Sequence, residues 1–210
     1  MKISPLAETC KLYEETADSY SAMMDEEIEL PIYAETLGAL STRIAELEGA
    51  VLDTSCGSGH MLAKLRDTYT PGRKLLGVDL SPRMVEISRD RLGAAGEIVE
   101  GDMKQLAHVK SDTCAAVLSF FALHHLDEAD MHAAFAEWHR VARPGGQLLL
   151  ATWEGDEPLD YGDQSDIVAM RYPEASVSGA ARSAGFRIDR CEVKPVEDMG
   201  MDAIYLMATK

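Results

Sequence analysis

The residues Ala50-Val-Leu-Asp53 form a short apolar run that ends in an acid and leads into a turn holding Gly57 and Gly59. A helical pattern starts at His60. A run this short, bounded by glycines and followed by a helix, reads as a buried strand that enters a strand-to-helix turn. Gly57 and Gly59 let bare backbone come close to a ligand, and the helix after them offers free N–H groups. A single G-x-G is a weak signal, because many folds use one only to turn the chain.

The rest of the chain repeats the alternation. Residues 5–47 read as helical with an interruption at Leu30-Pro31, where Pro31 suits the first turn of a second helix. Strands are expected at 74–79, 97–100, 114–120 and 147–153. Helices are expected at 60–68, at 82–92 behind a Ser81 cap, at 130–142 and at 174–184 before Gly185. Arg143-Pro-Gly-Gly146 reads as a turn, and 154–172 as an irregular acidic insert. Two final strands, 187–193 and 203–208, lack an intervening helix and are expected to pair antiparallel at one edge. The fold class is therefore α/β, a doubly wound and mostly parallel sheet with helices on both faces. Residues 1–48 are expected to form a helical cap within the same domain as a core at 49–210. Ligands in such a sheet bind beyond the strand carboxyl ends, where the strand order reverses.

Asp79 lies 20 residues after Gly59 at the end of the second strand, where a carboxylate can accept both ribose hydroxyls of a nucleoside. To this point a nicotinamide dinucleotide fits as well. The pyrophosphate pattern G-x-G-x-x-G is broken at Ser55 and Leu62, and Asp53 would repel a pyrophosphate beside the loop. Asp53 suits an ammonium group instead.

With these residues in view, the chain resembles the class I S-adenosylmethionine-dependent methyltransferases over about residues 13–209. Val51–Gly59 resembles the family's hhDhGxGxG loop, with Ser55 in place of a usual glycine. Gly77-Val-Asp79-Leu-Ser-Pro-Arg-Met84 resembles GhDhSxxM, and Gly101-Asp102-Met103 resembles the GDh after the third strand. Ser119–Leu126 resembles the segment after the fourth strand, and Arg143–Gly146 the RPGG before the fifth. The resemblance implies a Rossmann-like seven-stranded sheet with its last strand inserted antiparallel. It implies S-adenosylmethionine as cofactor and S-adenosylhomocysteine as product. Asp53, Ser55, Gly57 and Gly59 would hold the methionine end, and Asp79 with Leu80 the ribose. Met84, Asp102 and Met103 would line the adenine, Ser119 the floor near the sulfonium, and Tyr20 a covering helix.

A sulfonium methyl is already electrophilic, so the enzyme needs chiefly to align the acceptor and, for some acceptors, to remove a proton. His124 is the expected base or orienting group, with His125 and Tyr20 as alternatives; an HH pair that only shapes the loop is the competing reading. Met23 and Met24 read as core filler, and His132 and His139 lack a third metal ligand. No metal is expected. The cysteines at 10, 56, 114 and 191 form no CxxC pair and no disulfide framework.

Charge narrows the acceptor. Lys+Arg 20 against Asp+Glu 36 leaves −16, which opposes binding to a phosphate backbone, so no nucleic-acid partner is expected. No apolar run approaches the ~18–20 residues of a membrane span, and the first residues lack the apolar core of a signal peptide. A cytoplasmic monomer or homodimer acting on a small-molecule methyl acceptor is the expectation. Glu154, Asp156, Glu157, Asp160, Asp163 and Asp166 in the insert, with Tyr161, leave room for an amine acceptor, but an acidic solvated loop is the default reading. A non-catalytic cofactor-binding accessory protein and a nicotinamide-dependent oxidoreductase remain as alternatives.

Overall fold

The computed structural model describes residues 3–160, 167–196 and 200–210. Two N-terminal helices, α1 (Leu6–Glu27) and α2 (Pro31–Ile44), meet at the expected break, and Pro31 occupies the first turn of α2. Then follow β1 (Ala50–Asp53), α3 (His60–Lys64), β2 (Leu75–Asp79), α4 (Pro82–Leu92) and β3 (Gly96–Glu100). The second half holds β4 (Cys114–Phe120), α5 (Glu128–Val141), β5 (Ala142–Trp153), β6 (Pro158–Asp160) and β7 (Val168–Met170). It ends with α6 (Glu174–Ser183), β8 (Arg187–Val196) and β9 (Met201–Thr209). Ser81 caps α4 by accepting the Met84 N–H at 3.2 Å, and Asp127 caps α5 through Asp130 N–H at 2.8 Å.

The main sheet has the order β3-β2-β1-β4-β5-β9-β8. Its first five strands are parallel, and β9 runs antiparallel between β5 and β8. Strand order reverses between β1 and β4, so their carboxyl ends border the crevice where this architecture binds ligands. Side chains alternate between two cores, as a strand period of two requires. Leu52, Val117 and Leu148 pack under α5 and α6 with Phe135 and Trp138, while Val51, Leu118 and Leu149 face α2, α3 and α4. Leu37, Leu40 and Ile44 of α2 belong to the second core, so α2 is built into the sheet's packing.

Three local expectations are corrected. The helix expected over 60–68 is α3 followed by a wider π turn, Leu65–Tyr69. The RPGG segment is the start of β5 rather than a turn before it. Ala142 pairs with Cys114 and the ladder resumes at Ala116–Gln147, a bulge that Gly145 permits at φ 78°. The bulge is held by the chain end: Gly145 N–H donates to Lys210 O and Lys210 N–H to Gly146 O. The insert holds an antiparallel pair, β6 with β7, because Leu159, Ile167 and Ala169 are buried. Tyr161, Asp163 and Asp166 lie outside the described residues. Among the described residues no helix is long and apolar enough to cross a membrane.

Candidate functional site

A cleft lies at the carboxyl ends of β1, β2, β3 and β4, roofed by α1. Its floor begins at the turn after β1, where Thr54 N–H donates to Leu118 O and Cys56 N–H to Val78 O, pinning the loop to strands on either side. Gly57 and Gly59 adopt φ 50° and 79°, conformations that side chains rarely adopt. A Cβ on Gly59 would lie 2.5 Å from Ser88 Oγ, so glycine here also lets α3 approach α4. A Cβ on Gly77 would lie 2.9 Å from Cys56 Sγ. Cys56 is buried and its thiol is pushed well up by burial, which makes it a packing residue rather than a nucleophile.

Two acids organise the floor. Asp79 Oδ2 accepts the Gly57 N–H at 2.8 Å, and its Oδ1 accepts the Ser81 N–H at 3.0 Å. Each oxygen keeps lone-pair capacity for a ligand hydroxyl. Burial raises the Asp79 pKa, opposed by these backbone donors. Asp53 lies beneath the loop, accepting the Ser55 N–H at 3.2 Å. Burial, with the nearby Asp79 charge, lifts its pKa to about 7. At the end of β3, Asp102 Oδ1 accepts the Lys104 N–H at 2.9 Å.

Of the expected cofactor residues, the structure brings Tyr20, Ser55, Gly57, Asp79, Leu80, Met84, Asp102 and Met103 to the cleft lining. Asp53, Gly59 and Ser119 lie just beneath it, where they shape the floor. The hydroxyls of Ser55 and Ser119 are buried without a hydrogen-bond partner. Such orphaned polar atoms at a ligand cleft are groups that a bound molecule can satisfy.

His124, the expected base or orienting group, is placed away from the cleft lining. His124 is 2% exposed and lies off the lining, and burial holds its pKa well below the histidine range. His125 is the histidine that reaches the cleft. Its Nε2 and the Tyr13 hydroxyl share a hydrogen bond of 2.9 Å, and burial lowers its pKa to about 4, so the ring is neutral at physiological pH. Tyr13 packs edge-on against both His125 and Tyr20. This cluster latches α1 over the cleft. Tyr13 was not singled out from the sequence. The seven-residue spacing Tyr13–Tyr20, which puts both rings on one helix face, was the available signal.

The roof sits close: about 70 Å³ of space remains between α1 and the floor. Sites for drug-sized ligands measure roughly 300–1,000 Å³. The chain's larger concavity, about 1020 Å³, is an open groove at the opposite, amino ends of the strands. The catalytic side of this architecture is the carboxyl end, so the narrow cleft is the functional candidate. Among the described residues no group of histidines, cysteines and acids is arranged to hold a metal.

Residues 51–146 match the family model described as a methyltransferase domain. Over these residues the chain is similar to that methyltransferase family. An uncharacterized methyltransferase of Geobacillus sp. strain WCH70 is 28% identical over 67% of this chain and 65% of its own length. A malonyl-[acyl-carrier protein] O-methyltransferase of Serratia marcescens is 33% identical over 54% of this chain and 42% of its own. The chain thus spans less than two thirds of the length of these curated relatives. Among solved structures, the Burkholderia thailandensis 1,6-didemethyltoxoflavin-N1-methyltransferase, bound to its namesake and S-adenosylhomocysteine, superposes with a TM-score of 0.75. The match covers 100% of this chain and 92% of that one at 19% identity. That likeness speaks for the fold.

Proposed function

We propose that this chain transfers a methyl group from S-adenosylmethionine to a small-molecule acceptor. The supporting observation is the composition of the cleft: its described lining holds Asp79 and Asp102 and no lysine or arginine. A pyrophosphate gains from positive charge, which this lining withholds, whereas a ligand with an ammonium and a sulfonium gains from its acids. The nicotinamide alternative is correspondingly disfavoured.

In this reading Asp79 receives the ribose hydroxyls on the lone pairs its backbone donors leave free. Met84 and Met103 pack the adenine beside Asp102. Asp53, Ser55, Gly57 and Gly59 shape the methionine end, with Ser119 at the floor. The cofactor, when bound, supplies an electrophilic methyl carbon on sulfur. The chain's own work is to orient an acceptor toward that carbon and to exclude water by closing α1. Tyr20, on α1, stands at the junction of roof and floor and is the positioning candidate. Where an acceptor carries a proton to be lost, the neutral His125 is the imidazole in reach of the cleft, with Tyr13 orienting it.

The test is isothermal titration of the purified chain with S-adenosylhomocysteine and with NAD, followed by a methyl-transfer assay on a metabolite panel. Binding of S-adenosylhomocysteine alone and turnover of at least one acceptor are expected. Saturable NAD binding without S-adenosylhomocysteine binding would restore the oxidoreductase reading. Cofactor binding with no acceptor across the panel would favour an accessory role.

A further inference from the structure

Beyond the cofactor cleft, a second set of side chains continues from it and remains without a role. Phe120 and Phe121 line the cleft and extend away from it. The Phe120 ring is 6.0 Å from that of Tyr33, and Phe121 is 4.6 Å from Trp153 and 6.4 Å from Tyr205. Phe121 is held at φ 47°, where a bulky side chain is strained. Strain of this kind persists where the surroundings impose it, and it recurs at ligand sites. Here it turns the ring out of the β4 line toward Trp153. Phe120, Phe121 and Trp153 are only partly buried, so this aromatic patch reaches solvent beside the cleft.

Among the described residues two carboxylates act on the tyrosines of this patch: Glu35, which Arg190 and Lys194 already pair, and Glu27. Glu27 ends α1, one turn beyond Met24 and two beyond Tyr20 on the same helix face. Its charge is felt by both Tyr33 and Tyr205, whose phenols are raised by burial first and by Glu27 next. Tyr20, two turns before Glu27 on the same helix face, lines the cleft. Glu27 is half-buried, and its carboxylate, among the described residues, makes no hydrogen bond or ion pair. Among the described residues, Lys64 pairs with Glu29, Arg91 with Asp25, and Arg190 and Lys194 with Glu35 and Glu192. The last turn of α1 holds no basic residue, and a carboxylate there opposes the helix dipole. A desolvated, unpaired anion at the negative end of a helix is a costly arrangement that a cation would relieve.

We propose that the acceptor subsite recognises a protonated arylalkylamine, its ammonium on Glu27 and its ring among Phe121, Trp153 and Tyr205. This rests on the methyltransferase reading for the reaction but concerns binding alone. Aromatic faces attract a cation and stack on an aryl ring, while Glu27 discriminates charge. A neutral or anionic acceptor would leave Glu27 unpaired or repelled, which excludes it.

The test titrates phenethylamine, phenethyl alcohol and 3-phenylpropionate into wild type, Glu27→Gln and Trp153→Leu, each with and without S-adenosylhomocysteine. The amine should bind wild type at least about tenfold more tightly than the alcohol, about 1.4 kcal/mol. Glu27→Gln should erase that preference while leaving alcohol binding unchanged. Trp153→Leu should weaken amine and alcohol together. Equal amine and alcohol affinity in wild type overturns the proposal, as does undiminished amine preference in Glu27→Gln or no amine binding in any arm. Failure of S-adenosylhomocysteine to bind overturns the cofactor reading instead, and the arms without it still decide the amine question. Circular dichroism of Glu27→Gln separates lost charge from lost helix.

Discussion

Replacing Asp53 by asparagine should make the chain more stable and the cofactor weaker. Asp53 is 2% exposed, and its described partner is a single backbone donor, Ser55 N–H. Asparagine keeps an acceptor oxygen for that N–H and removes a charge beside Asp79. The rise from 3.8 to about 7 in the folded state converts to about 4 kcal/mol of destabilisation at neutral pH. The new amide N–H₂ has to be buried there without an evident acceptor, which costs about 1–2 kcal/mol. A net gain of about 2–3 kcal/mol remains. The pH dependence carries the sign. Between about pH 4 and pH 7 the folded state binds the Asp53 proton more tightly than the unfolded chain. Stability therefore falls as pH rises through this window and levels off above it. Asp79, also raised by burial, adds to the same slope, so Asp53→Asn should flatten it without abolishing it. Urea unfolding at a series of pH values from 4 to 8 measures both quantities, and titration with S-adenosylmethionine should show an affinity loss of about tenfold or more. A variant no more stable than wild type at pH 8, with its slope intact, would refute the reasoning.

Gly59→Ala should destabilise the fold by about 2–4 kcal/mol, because left-handed strain of about 1–2 kcal/mol is joined by a Cβ pressed onto Ser88. Gly72→Ala, also at positive φ but with no heavy atom near its Cβ, isolates the strain and should cost only the first part. Chemical denaturation of the two variants compares them; equal losses would mean that helix approach at Gly59 is unimportant. Tyr13→Phe removes the hydrogen bond to His125, worth about 0.5–1.5 kcal/mol net, and should loosen α1. Limited proteolysis should then cut within α1 faster in the variant, and saturating S-adenosylhomocysteine should restore protection. Unchanged cleavage would show that other contacts hold the roof.

The sheet was legible because its signals are local. β1 and β4 begin and end where the apolar runs do, and Ser81-Pro82 marks the start of α4. The floor of the cleft was legible for a related reason: Asp79, Asp102 and the glycine turn sit at strand ends, positions that chain order dictates in a parallel sheet. What failed was decided by contacts distant in sequence. The RPGG bulge is fixed by Lys210, and β6 and β7 by burial of Leu159 and Ala169. Choosing between His124 and His125 required knowing which way a short turn rolls, since adjacent residues point apart. Glu27 gave no sequence signal at all: it is the third of three acids in a row at 25–27, and only its partial burial at the end of α1 sets it apart.

The central claim is that the carboxyl-end cleft beneath α1 holds the methyl donor through Asp79. Titration of S-adenosylhomocysteine into wild type and Asp79→Ala at pH 7.5 tests it most directly. One site per chain is predicted in wild type, with affinity reduced about a hundredfold or more in the variant, about 2.7 kcal/mol. Equal affinity in both proteins, with the variant folded, would place the cofactor elsewhere and contradict the account.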